Sequence, residues 1–193
     1  MTLQTHQTSE LSQNRKRGGF SATELLVVVA MLAVLASVSL PIFAATLQSS
    51  RFNGAVLQLA SEIRSARSLA VSKGGFYGIH SGRDPLIVDA ALINSFRIEY
   101  SANGATWPAV TASTGSDPAV ITDWQSLSKQ FTGVTVQSVV DGSATPIGGP
   151  IFNSIGGSVD LANAIRPVVI TLADDSGATK VIQVNPPGNV KLP

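Results

Sequence analysis

Glu24 is the first residue whose type and position call for a chemical account. It is a lone carboxylate directly before Leu25–Ala45, a run in which only Ser37, Ser39 and Pro41 are not apolar, and no charge follows it until Arg51. An acidic group at the centre of a membrane helix costs about 2.5–3.5 kcal/mol, and less toward the interface. Headgroup depth and the favourable end of a helix dipole explain why such a residue is tolerated there. They do not explain the Gly18-Gly19-Phe20 that precedes it. Other residues that could do chemistry fare worse. His80 is the only histidine beyond the first nineteen residues, so any Ser-His-Asp arrangement must use it, and it sits in a strand-like run beside Ile79 where a satisfied histidine is expected. Ser126-Leu127-Ser128-Lys129 has S-x-x-K spacing, but the companion S-D-N and K-T-G elements are missing. Asp174-Asp175, and Asp84 with Asp89, read as turn formers before they read as cation ligands. With no cysteine, thiol catalysis, a Cys-ligated metal and a disulfide framework are excluded. Neither a P-loop nor a dinucleotide fingerprint is present. No enzyme activity, cofactor or metal is expected.

The elements that must position Glu24 are legible. The 21 residues Leu25–Ala45 form about 31 Å of helix at 1.5 Å per residue, the thickness of a bilayer's hydrocarbon core. A cleaved secretory signal has a shorter apolar core of about 7–15 residues, and a chain of 193 residues rarely hides so long a run in one buried element. Arg15-Lys16-Arg17 place the N-terminal end of this span in the cytoplasm by the positive-inside rule, with the C-terminal part across the membrane. The chain is 44% hydrophobic and only 13% charged, which argues against a disordered, coiled-coil or nucleic-acid-coating protein. Phe52, Val56, Leu59, Ile63, Ala66 and Ala70 recur at helical spacing, and Lys73-Gly74-Gly75 supply a basic last turn and a stop. One helix is therefore expected from about Phe20 to Lys73, bent at Pro41 and loosened at Gly54, its second half packing on a sheet. After Gly75 the runs at 76–80, 86–88, 96–100, 134–139, 158–161, 168–173 and 180–185 read as strands. The last two frame an Asp-Asp-Ser-Gly turn as a hairpin, and 101–123 reads as a long loop.

Basic residues, then Gly19-Phe20, then Glu24 at the mouth of a Leu/Val/Ala span resemble the class III signal of type IV pilins and type II secretion pseudopilins. The resemblance implies that a prepilin peptidase cuts after Gly19 and N-methylates Phe20. It implies that Glu24, fifth in the mature chain, neutralises the amine of a neighbouring Phe20 during assembly, and that Pro41, twenty-second, kinks the helix. An α-amino group, with a pKa of about 7.7–8.0, is largely cationic near neutral pH. Within that superfamily the C-terminal half resembles the GspH/FimT group. Glu62–Lys73 is similar to its "L-x-x-A-R-x-x-A" helix, Phe152…Gly156 to its "F-x-x-x-G" element, and Gly188-Asn189-Val190 to its "G-x-V/I" ending. Residues 82–130 match no part of that pattern.

The resemblance implies an α+β, pilin-like fold, in which a long N-terminal helix packs on a C-terminal antiparallel β-sheet domain. The division is 1–19 as a cleaved cytoplasmic leader, 20–46 as membrane or filament-core helix, 47–75 as its amphipathic half, and 76–193 as a periplasmic β-rich domain. The implied function is a structural minor pilin or pseudopilin of a type IV pilus or secretion pseudopilus, held in the bacterial inner membrane by a single pass. Its implied partners are the prepilin peptidase and other pilin or pseudopilin subunits, with no small-molecule substrate. A DNA-binding minor pilin for competence is the alternative, and a signal-anchored envelope enzyme is more remote. Nucleic acid is disfavoured because residues 46–193 carry 10 Lys/Arg against 10 Asp/Glu, with no three basic residues clustered. Arg64 and Arg67 share a helix flank that a solvated face explains.

Overall fold

The computed structural model describes residues 20–87 and 89–192. The chain divides into two units, 1–44 and 45–193, and helix α1 (Ala22–Lys73) starts in the first and ends in the second. In the first unit every large apolar side chain from Leu25 to Phe43 is at least half exposed. The two serines of this stretch do not need outside partners. Ser37 Oγ donates to Val34 O at 2.7 Å and Ser39 Oγ to Leu35 O at 2.9 Å, which lets both hydroxyls sit in an apolar environment. The helix continues without a break across Pro41, although Pro41 has no N–H to offer the Ser37 carbonyl.

In the second unit α1 buries Phe52, Ala55, Val56, Leu59, Ala60, Ile63, Ala66 and Ala70, the expected stripe widened by Ala55 and Ala60. Gly54 does not loosen the helix. A Cβ there would lie 2.7 Å from the Phe131 ring, so the missing side chain lets that ring approach. Gly74, at φ +74°, closes the last turn with its N–H on Ala70 O at 3.1 Å.

The stripe packs against two antiparallel sheets. One has the order β3-β2-β1-β5-β6: β1 (Phe76–Ser81), β2 (Ser95–Ser101), β3 (Gln125–Ser126), β5 (Ile151–Phe152) and β6 (Ser158–Val159). The other has the order β4-β7-β8-β9: β4 (Val134–Asp141), β7 (Val168–Asp174), β8 (Thr179–Val184) and β9 (Val190–Lys191). Ile79, Phe96, Ile98 and Phe152 from the first sheet join Val136, Ile170, Leu172 and Ile182 from the second in one core with the helix. Burying each large side chain is worth about 1.5–3 kcal/mol. The fold is α+β.

The hairpin at 167–185 is present as β7–β8, with Ile170 opposite Ile182. Two strand expectations are corrected. Leu86 and Ile87 lie in turns, not a strand, because Asp84 Oδ1 accepts the Leu86 N–H at 2.8 Å and Asp84 O accepts that of Ile87 at 2.9 Å; Val88 lies outside the described residues. The strand read over 158–161 is only Ser158–Val159, since Asp160 turns the chain by accepting the N–H groups of Ala162 and Ala164. The two sheets are tied at β4. Arg83 Nε donates to Val136 O at 2.7 Å, Asn94 Oδ1 accepts the Val136 N–H at 3.1 Å, and Ile147 N donates to Val139 O at 3.0 Å. The long loop over 101–123 is pinned from beneath by Arg97, which is fully buried. Its guanidinium donates to Ala112 O at 2.8 Å and Ala109 O at 2.9 Å, pairs with Glu99, and lies 4.6 Å from the Trp124 ring centre.

Candidate functional site at the start of the first helix

Ser21 stands just before α1 and caps it. Its carbonyl accepts the Leu25 N–H at 3.1 Å and its Oγ accepts that of Thr23 at 3.3 Å. Glu24 reaches back, and its Oε2 accepts the Ser21 N–H at 3.4 Å. Ser21 and Glu24 thus have the S-x-x-E spacing of a capping box, with its returning half made by Glu24 on the Ser21 N–H and the Ser21 hydroxyl serving the Thr23 N–H instead of that of Glu24. That spacing is plain in the sequence, and it assigns the carboxylate a local role the sequence reading missed. It also places negative charge in the first turn, where the helix dipole favours it by about 0.3–1 kcal/mol. Phe20 directly precedes the cap and is 84% exposed. Gly19 and Arg15-Lys16-Arg17 lie outside the described residues. Pro41 is within α1, well beyond this first turn.

The remaining candidates have structural roles. His80 is held on both sides, by Asp84 Oδ2 at 2.7 Å from Nε2 and Glu99 Oε2 at 3.1 Å from Nδ1. Burial pulls its pKa down, but the hydrogen bonds and charges of the two carboxylates outweigh it and carry the pKa up to about 9. The ring is a cation donating from both nitrogens, so neither is left to act as a base. Ser126 Oγ accepts the Lys129 N–H at 3.4 Å, so the S-x-x-K spacing is the N-cap of α2 (Leu127–Gln130). Asp174 Oδ1 accepts the Ser176 hydroxyl and the N–H groups of Ala178 and Ser176, which builds the β7–β8 turn and, through the hydroxyl first, holds its carboxyl below the usual range. Asp89 caps a single 3-10 turn through the Ala91 N–H at 2.9 Å. Among the described residues no group of three or more His, Cys, Asp or Glu could hold a metal ion.

Three segments far apart in sequence meet at Arg67. Its Nε donates to Gly156 O at 3.0 Å and its Nη2 to Pro187 O at 3.1 Å. Gly188 sits against both partners. A Cβ there would lie 1.9 Å from Gly156 O and 2.7 Å from Arg67 Nε, and its φ of +81° suits glycine. Arg67 is therefore not on a merely solvated face, which corrects the reading of Arg64 and Arg67 as one flank. The Arg67 helix segment, the Phe152–Gly156 turn and the Gly188-Asn189-Val190 ending form a single clamp.

No family model matches the sequence, and no curated protein sequence does. Among solved structures, the chain is similar to the type IV minor pilin FimU of Pseudomonas aeruginosa strain PAO1, at 15% identity and a TM-score of 0.48 over 75% of this chain and 90% of that one. It is also similar to the minor pseudopilin EpsH of the type 2 secretion system of Vibrio cholerae, at 10% identity and a TM-score of 0.47 over 74% of this chain and 96% of that one.

Proposed function

We propose that this chain is a structural pilin-like subunit, made with a cytoplasmic leader, cut after Gly19, N-methylated on Phe20 and assembled through its N-terminal helix into an envelope-spanning filament. One observation carries the reading. Arg15-Lys16-Arg17, Gly19-Phe20 and Glu24 stand in register ahead of an uncharged stretch of helix, 25–50, whose large apolar side chains up to Phe43 are exposed on every side. A helix of that kind requires a membrane or the packed core of a filament. The partners are a prepilin peptidase, the inner membrane, and other pilin or pseudopilin subunits. The globular part lies on the periplasmic side, and the subunit serves as a minor pilin or as a pseudopilin of a secretion machine. Pro41 kinks the helix where it packs among its neighbours.

Glu24 has two separable duties under this proposal, and substitution separates them. A glutamine accepts the Ser21 N–H as well as a glutamate does, so Glu24→Gln keeps the cap and loses only the charge offered to a neighbouring Phe20 amine. Co-expression with a prepilin peptidase should remove nineteen residues and methylate Phe20 in the wild type and in Glu24→Gln alike. Incorporation into sheared filaments should drop steeply in Glu24→Gln and in Glu24→Ala. A bulky residue at Gly19 should block cleavage. N-terminal sequencing that finds the cut near Ala44 or Ala45 sinks the proposal, and wild-type levels of Glu24→Gln in filaments reduce Glu24 to its capping role.

A further inference from the structure

We propose that a cavity in the C-terminal unit, lined by β1, β5 and the turns beside them, is a docking site for a short polypeptide segment of a partner protein that presents a bulky apolar side chain beside a lysine or arginine. The cavity measures about 520 Å3, and Ile79, Trp107, Ile147, Ile151 and Val168 give it an apolar lining. Two further lining residues, Leu86 and Leu161, come from separate turns and are 82% and 61% exposed. Leucines displayed in this way beside an apolar hole make a contiguous surface of the kind that marks an interaction site. Because the apolar surface continues past the hole onto both leucines, its occupant extends beyond the cavity, as a chain does and a compact small molecule does not.

Charge selects the occupant further. Asp84, Glu99, Asp141 and Asp160 line the cavity against only His80 and Arg166. Arg97, paired with Glu99, still leaves one negative charge in excess. These carboxylates are held in place. His80 bridges Asp84 and Glu99, and Arg166 bridges Asp141 at 2.9 Å and Asp160 at 2.8 Å. Backbone N–H groups take part of what is left: Leu86 on Asp84, Ser143 and Thr145 on Asp141, and Ala162 and Ala164 on Asp160. Of the roughly four acceptor sites on a carboxylate, Asp84 therefore keeps the most and Asp141 and Asp160 about one each, while Glu99 is buried and adds charge rather than an open site. An acidic occupant is repelled, and a purely apolar one strips water from the acids without replacing it. A segment with one cationic residue beside its apolar anchor satisfies both demands. This inference uses only residues of the 45–193 unit and stands independently of the filament proposal.

The test uses the full chain in lipid nanodiscs and three dye-labelled hexapeptides, containing Leu-Phe-Arg, Leu-Phe-Glu or Ser-Gly-Arg, titrated by fluorescence anisotropy. The Leu-Phe-Arg peptide should bind at least about tenfold more tightly than the other two, and its affinity should fall severalfold between about 50 and about 300 mM salt. Ala162→Trp, which adds a ring to an exposed lining residue, should weaken it by about tenfold, and Leu86→Ser by a few fold. Leu86 is too exposed for that change to disturb folding. Equal binding of the three peptides, no Leu-Phe-Arg binding below about 1 mM, or unchanged affinity in both variants overturns the inference.

Discussion

At the residue scale, His80 shows how a lone histidine is turned into a structural cation. Asp84 on the following turn and Glu99 on β2 face its two nitrogens, Arg97 backs Glu99, and the Trp124 ring centre lies 6.0 Å away. Its raised pKa makes stability depend on pH in a fixed direction. The folded chain holds the proton to about pH 9 while the unfolded chain releases it near 6.5. The contribution is therefore complete below about pH 6.5, declines through the interval and is gone above about 9, on the order of 3 kcal/mol in all. Urea unfolding at pH 6, 7.5 and 9.5 should show that decline, and His80→Gln should flatten it. An equally steep decline in the variant places the effect elsewhere. The sequence made His80 conspicuous as an isolated histidine, but Glu99 becomes its partner only through the antiparallel pairing of β1 with β2, which no local spacing encodes. Ser21 and Glu24 are the opposite case, since their three-residue separation is itself the contact.

Elements were legible in proportion to their length and periodicity. The α1 stripe from Phe52 to Ala70 and the strands of six residues or more carry enough repeats to be read. The pairs at β3, β5 and β9 do not, because two residues have no period, and the strand expected at β6 is two residues too long. The apolar run at Leu86 misled for another reason: the Asp84 side chain took the backbone N–H that a strand ladder would have used. The clamp at Arg67 is an element-scale feature whose parts were visible separately and whose meeting was not. Arg67→Lys keeps the charge but loses the fork that serves two carbonyls, and should cost about 1–2 kcal/mol. Gly188→Ala must both adopt a positive φ and move Gly156 O, and should cost about 2–4 kcal/mol. Denaturant unfolding measures both. If Gly188→Ala is as stable as the wild type, the contact at Gly188 is looser than described.

At the scale of the whole molecule, folding disperses what little positive charge the sequence offers. Arg97 and Arg166 are in ion pairs, Arg67 and Arg83 donate to backbone carbonyls, and Lys180 is bound to Asn53 over the Phe52 ring. Exposed Arg51, Arg64, Lys73, Lys129 and Lys191 remain, spread from α1 to the last strand. Non-specific DNA affinity comes from neutralising phosphates, so a gel shift with the full chain in nanodiscs should show no salt-sensitive complex at micromolar protein. Low-micromolar binding that weakens steeply with salt would promote the DNA-uptake alternative. The net charge of this part was readable from composition, whereas the internal use of half its cations was not. The closed side of β4 bears on a different hazard, fibrillation. An eight-residue strand with an open side is the template that cross-β growth seeds on, yet Arg83, Asn94 and Ile147 already occupy the outward groups of Val136 and Val139. Copies crowded side by side therefore find no open ladder at Val136 and Val139 of β4, the longest edge strand, and cannot fuse their sheets through those groups.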